Sequence, residues 1–230
     1  MKKSSEKKYL ETLTKISKAI TSDLYLEDIL KLIVSLTAGV MKAKICALWL
    51  LDESSQTLKI RATQALSQEY LKERTLKTGE GIVGLVSKGK KAITIADVSK
   101  DIRYKEKKLA KKENLVSMLS VPMWVKDRII GVINVYTTKM YEFTESDIDL
   151  LSAVANQAAV AIENTELMVK TKIIQEELET RKKVEKAKGI LMRRQNLSEN
   201  AAYELIRKTS MNKRLSMKEI AEAIILSFEI

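Results

Sequence analysis

From Glu145 to Lys188 the chain carries neither proline nor glycine, so nothing in that span interrupts a helical backbone. Such a run exceeds an ordinary globular helix and predicts one rod connecting what folds before it to what folds after it. Leu167 and Ile174 recur at heptad spacing, with Ile173 and Leu178 beside them, but Arg181 takes the next equivalent position. A stable coiled coil does not follow, and the expectation is a short, adjustable parallel pairing with a second copy. A chain of 230 residues with 45% apolar content has enough material for one or two domains with sizeable cores, and two fit best.

Past the rod, residues 181–230 read as a compact helical module. At about 100° per residue, Val184, Ala187, Ile190 and Leu191 fall on one apolar stripe, with Lys182, Lys186, Gly189 and Arg193 on the opposite face. A mid-helix glycine costs roughly 1 kcal/mol against alanine, so a helix or a phosphate backbone is expected to come close there. Ser198 is an N-cap for a second helix, which turns Ala201, Ala202, Leu205, Ile206 and Thr209 inward and Tyr203 and Arg207 away from that stripe. An outward tyrosine beside arginine suits base stacking. Ser216-Met-Lys-Glu219 is a capping-box pattern opening a third helix, with Met217, Ile220, Ala221, Ile224, Ile225 and Phe228 on its apolar stripe. The pattern alone leaves open DNA, a protein partner or an ordinary solvated surface.

The same residues resemble the ANTAR family, through Lys186-Ala-Lys-Gly-Ile-Leu-Met192, Leu197-Ser-Glu199, Ala201-Ala-Tyr203, Leu205-Ile-Arg207 and Ile220-Ala-Glu-Ala223. Members of that family are bacterial regulators that bind paired RNA hairpins in nascent leader transcripts and prevent a terminator from forming. The resemblance implies an RNA ligand and a homodimer. The expected RNA-binding residues are Lys182, Lys186, Lys188, Gly189, Arg193, Tyr203 and Arg207. Total charge says less: residues 176–230 hold 12 basic and 9 acidic side chains, and residues 1–175 hold 29 and 21, so most of the net +11 lies outside this module.

Ahead of the rod the hydrophobic period alternates. Tyr9, Leu13, Ile16 and Ile20 predict a leading helix over residues 1–20, and Leu26 to Val40 a second, with Ile29, Leu30, Ile33 and Val34 apolar. Lys44–Leu51, Leu58–Thr63, Ala92–Ile95, Met118–Val125 and Ile129–Tyr136 read as strands, and Gly81–Ser87 as a helix packed on their sheet. The order argues for an α+β sandwich. Gly79-Glu-Gly-Ile-Val-Gly84, Ile95-Ala-Asp97, Ser117–Pro122, Ile130-Gly-Val132, Phe143-Thr-Glu-Ser-Asp147 and Leu150–Gln157 resemble a GAF domain. That resemblance implies a sensory and dimerisation module: a central antiparallel sheet, helices on one side and a small-molecule pocket on the other.

Residue chemistry narrows the ligand without naming it. The chain has no histidine, which argues against ordinary haem ligation, and Cys46 sits in an apolar strand pattern as a small core residue rather than a chromophore anchor. Asn134, Phe143 and Asp147 echo a cyclic-nucleotide signature, but Val135 and Ile148 break its adjacent pairs. Trp49, Trp124 and Tyr136 are the candidates for lining a pocket, against ordinary packing. The basic runs Arg103–Lys112 and Lys2, Lys3, Lys7, Lys8 read as solvated charge. With no histidine base, no cysteine cluster and no G-x-x-x-x-G-K loop, neither catalysis, a metal site nor a cofactor is expected. The acidic pair of a phosphate-accepting receiver is likewise missing from the amino-terminal half.

A single cysteine excludes an intramolecular disulfide; no secretory signal or long apolar run is evident, and Asn196-Leu-Ser198 fits a helix start better than a glycosylation site, so the chain is expected in the cytoplasm and off the membrane. The resulting organisation is a leading helix (1–20), a GAF-like sensor (21–165), a helical linker (166–180) and an all-α three-helix ANTAR-like domain (181–230). The expected function is signal-responsive antitermination on leader hairpins, the sensor answering a small molecule or a protein. The alternatives are a dimeric regulator whose ANTAR-like segment docks protein, and nucleic-acid binding by charge alone.

Overall fold

The computed structural model describes residues 2–22, 24–65 and 74–228, with side chains from residue 7 onward, so Lys2 and Lys3 lie outside the described side chains. The chain divides into two compact units, Met1–Thr165 and Glu166–Ile230. In the first, helices α1 (Lys2–Ile20) and α2 (Leu26–Val40) lead into strands β1 (Ile45–Asp52), β2 (Thr57–Thr63) and β3 (Thr75–Lys77). Helix α3 (Gly81–Gly89), strand β4 (Ile93–Ile95), helix α4 (Lys107–Glu113) and strands β5 (Met118–Val125) and β6 (Arg128–Tyr136) follow. Helix α5 (Glu145–Gln195) then runs 51 residues, covering the proline- and glycine-free span Glu145–Lys188 and continuing through Gly189.

The strands form one sheet in the order β3-β2-β1-β6-β5-β4, every pair antiparallel. β1 is apolar from Ile45 to Trp49 because both of its faces are covered. Cys46 and Leu48 enter a core with Ile16 of α1, Ile29, Leu30, Ile33 and Val34 of α2, and Leu151, Val154, Ala155 and Ala158 of α5. Ile45, Ala47 and Trp49 point the other way, into a core with Ile82, Val83 and Val86 of α3 and Ala110 of α4. The second face thus also packs on helices, among them the Gly81–Ser87 helix expected from the sequence. Gly131 lies on β6 between β1 and β5, where a Cβ would overlap the Trp49 carbonyl oxygen and the end of Met123.

The second unit consists of the carboxy-terminal part of α5 with α6 (Glu199–Lys213) and α7 (Met217–Phe228). Val184, Ala187 and Leu191 of α5, Ala202 and Ile206 of α6, and Ile220 and Ala221 of α7 close one small core. Both predicted caps are formed. The Ala201 amide donates to Ser198 Oγ at 3.2 Å, and Ser216 and Glu219 exchange backbone-to-side-chain bonds at 2.7 and 3.2 Å. Ion pairs Lys183–Glu222 and Lys218–Glu179 tie α7 to α5.

Two further features differ from the sequence reading. β3 escaped it because three residues, only one of them apolar, give no period. Leu205, expected to face inward, is 40% exposed, because α6 buries only Ala202 and Ile206.

Candidate nucleic-acid interface and sensor core

On α5, Lys182, Lys186 and Arg193 are exposed while Val184, Ala187 and Leu191 are buried, so the basic stripe lies opposite the core. Arg193 donates from Nε to the Gly189 carbonyl at 3.1 Å, holding its guanidinium back along this face. A Cβ placed on Gly189 would meet no atom within 4 Å. The close neighbour expected at that glycine is therefore not supplied by the described part of the chain itself.

Lys188 does not belong to the exposed stripe. Its side chain is 8% exposed and Nζ donates to Glu199 at 2.8 Å and Glu185 at 2.9 Å, fastening α5 to the start of α6. The bonds to Glu199 and then Glu185 hold its pKa above the ordinary lysine range, and Lys188 in turn pulls Glu199 below the ordinary carboxylate range. Lys188 falls at least 100° off the basic stripe and was expected to bind RNA as part of the ANTAR-like run Lys186–Met192; only the position of α6 reveals its partners.

Tyr203 and Arg207 project from α6, Arg207 pairing with Glu204 at 3.3 Å. Tyr203 lines an open groove of about 480 Å³ with Ile173, Thr180, Val184 and Met217, and this groove is rimmed by Glu176, Glu177, Glu185 and Arg181. Lys186 and Arg193 line a different hollow of about 530 Å³, together with Arg194, Ile190 and Phe228. Sequence reading assigned Ile190 and Phe228 to the core and passed over Arg194. Phe228 is instead 39% exposed, because the core contacts of α7 end at Ile225 and the last turn runs past them. Arg194 was missed because it lies about 100° off the basic stripe.

In the first unit the candidate aromatics do not gather round one pocket. Trp49 is buried, donates from Nε1 to Asn134 Oδ1 at 3.1 Å, and carries the Arg74 guanidinium over its ring at 5.6 Å. Tyr136 is buried edge-on against Tyr104, with ring centroids 6.3 Å apart. Burial pushes the Tyr104 hydroxyl up to about 12. Trp124 lies outside both cores, under Lys90 at 5.8 Å. The cyclic-nucleotide echo also comes apart. Asn134 lies between Ile133 and Val135, which enter the α1/α2/α5 core, so it faces the opposite side of the sheet from Phe143, which packs on that core. Asp147 is spent on Tyr141 and Thr144 at the start of α5. Cys46 is fully buried and its thiol pKa is raised by desolvation. Cross-strand neighbours Ser120 and Asn134 each keep one buried polar atom, Oγ and Nδ2, without a hydrogen-bond partner among the described residues.

Two family models match the chain, a GAF domain over residues 24–163 and an ANTAR domain over residues 173–225. The chain belongs to the GAF-domain family and carries an ANTAR domain after it. The GAF domain from an Acinetobacter phosphoenolpyruvate-protein phosphotransferase has a similar structure, with a TM-score of 0.61 and 27% identity, covering 70% of this chain and 97% of that one. A phosphoenolpyruvate-dependent phosphotransferase system protein of Escherichia coli K12 is 27% identical over 158 residues, which make up 69% of this chain and 21% of that protein. The chain thus spans about a fifth of that relative's length. The transcriptional regulatory protein PdtaR of Mycobacterium tuberculosis is 25% identical over 182 residues, covering 72% of this chain and 87% of that protein. Among the described residues, no helix is long and apolar enough to cross a membrane.

Proposed function

We propose that this protein is a signal-responsive transcription antitermination regulator, whose ANTAR domain binds paired hairpins in leader RNA under the control of its GAF domain. The observation that carries the reading is the exposed face of α5 with Lys182, Lys186 and Arg193 around Gly189, a cationic surface whose glycine leaves room for a backbone to approach. Similarity to a transcriptional regulatory protein supports it. Arg207 adds a phosphate contact from α6, while Lys188 positions α6 and Tyr203 borders the surface. The reading assigns the chain no reaction and places it in the cytoplasm, where leader transcripts are made.

The working form is a homodimer. Leu167, Ile174 and Leu178 of α5 are each half-exposed or more, an apolar row that a second copy of the helix would cover. The unmatched Ser120 Oγ and Asn134 Nδ2 favour a polar small molecule as the signal. Control requires that the signal bind the two pairings of α5 with different affinity. The groove at Tyr203, apolar with a carboxylate rim, favours a second reading in which this domain docks protein.

Single-round transcription through a terminator preceded by two hairpins tests the proposal. Added protein raises read-through, and disrupting both hairpins abolishes the gain. Unchanged read-through, together with capture of a partner that survives nuclease, would transfer the function to the protein-docking reading.

A further inference from the structure

The hollow at the end of α7 differs from the Tyr203 groove in that every charged residue described on its lining is a cation. Lys186, Arg193 and Arg194 surround Ile190 and Phe228, and no carboxylate stands among the described residues lining it. Phe228 leaves 39% of its surface open at a place where the domain's core has already closed without it. An exposed aromatic face ringed by guanidinium and ammonium groups suits a planar, electron-rich group carrying phosphates on its edges. A base inside a duplex cannot offer its face, whereas an unpaired loop base can. Arg193 is already held on the Gly189 carbonyl at 3.1 Å, so part of the ordering needed to meet a phosphate is done before binding.

We propose that this hollow seats one unpaired loop base of the RNA, stacked on Phe228 against Ile190, with the flanking phosphates held by Arg193, Arg194 and Lys186. The seat rests on the RNA-binding reading above and names the group that reads the loop. It transfers the stacking role from Tyr203, whose groove carries three carboxylates, to Phe228.

The test uses the full-length protein and tandem-hairpin RNAs with a fluorescent adenine analogue at each loop position in turn. Wild-type protein quenches the analogue at one loop position. Phe228→Ala removes the quenching and weakens binding about 10-fold, as loss of one stacked base does. Phe228→Leu, which keeps an apolar side chain without the ring, also loses the quenching, and Phe228→Trp keeps it. Melting curves of the variants separate stacking from folding. Wild-type binding that Phe228→Ala and Phe228→Leu leave intact, quenching included, would overturn the seat alone. Failure of the wild type to bind any tandem-hairpin RNA would overturn the RNA reading itself.

Discussion

Tyr203 and Phe228 are exposed to the same extent, 39% each, and sit in opposite electrostatic surroundings. Around Tyr203 stand Glu176, Glu177 and Glu185 with Arg181; around Phe228 stand Lys186, Arg193 and Arg194. At physiological salt a charge acts over about 8 Å, so it is the immediate rim that decides which ring a polyanion approaches. Exposure of an aromatic therefore does not by itself locate a nucleic-acid site. The sign of the charge within one side-chain length does.

Charge reversal gives the largest expected separation of the two clefts. Replacing Arg193 and Arg194 together by glutamate lowers affinity for tandem-hairpin RNA by about 100-fold, at roughly 1.4 kcal/mol per tenfold change, measured by titration at constant salt. A loss below threefold would remove the hollow from the interface. Next, replacing Lys186, Arg193 and Arg194 by alanine reduces the slope of log affinity against log salt by about 2, since each phosphate contact to single-stranded RNA contributes about 0.7. An unchanged slope would mean that phosphates are held elsewhere.

Ser198→Ala separates folding from binding. It removes the cap that accepts from Ala201 and costs the ANTAR domain about 1 kcal/mol in denaturant unfolding, while the salt slope stays as in the wild type. Smaller still, Glu176→Gln with Glu177→Gln strengthens RNA binding by no more than about threefold, through reduced long-range repulsion alone. A tenfold gain would place RNA in the Tyr203 groove and erase the contrast. The smallest effect is with pH. Glu199 and Glu219 are held below the ordinary value of 4.5, by Lys188 and by the Ser216 amide respectively, so their contribution is present above that pH and is lost as pH falls through their lowered values. Lys188 is raised above 10.5, and its contribution is lost only as pH rises past that. The ANTAR domain's melting temperature is therefore flat between these limits and falls on the acid side, a shift that differential scanning calorimetry resolves.

The periodic parts of the molecule were legible because period and cap are local. The α5 rod, the caps at Ser198 and Ser216, and the strands at β1, β5 and β6 all came from spacing or cap residues along the chain. What the spacing could not supply was the identity of neighbours distant in sequence. Lys188 stood among the expected RNA-binding residues because Glu199 reaches it only after α6 folds back. Phe228 fits the α7 stripe in register, but the core stops short of it. Trp49 and Tyr136 looked like pocket candidates until the packing of α3 and α4 on their face made them core.

Purified full-length protein titrated at near-physiological salt against a tandem-hairpin leader RNA, a scrambled RNA of equal length and duplex DNA tests the central claim most directly. Selective binding to the hairpin RNA, lost when its loops are replaced, is the predicted result. Equal, weak binding to all three would contradict it.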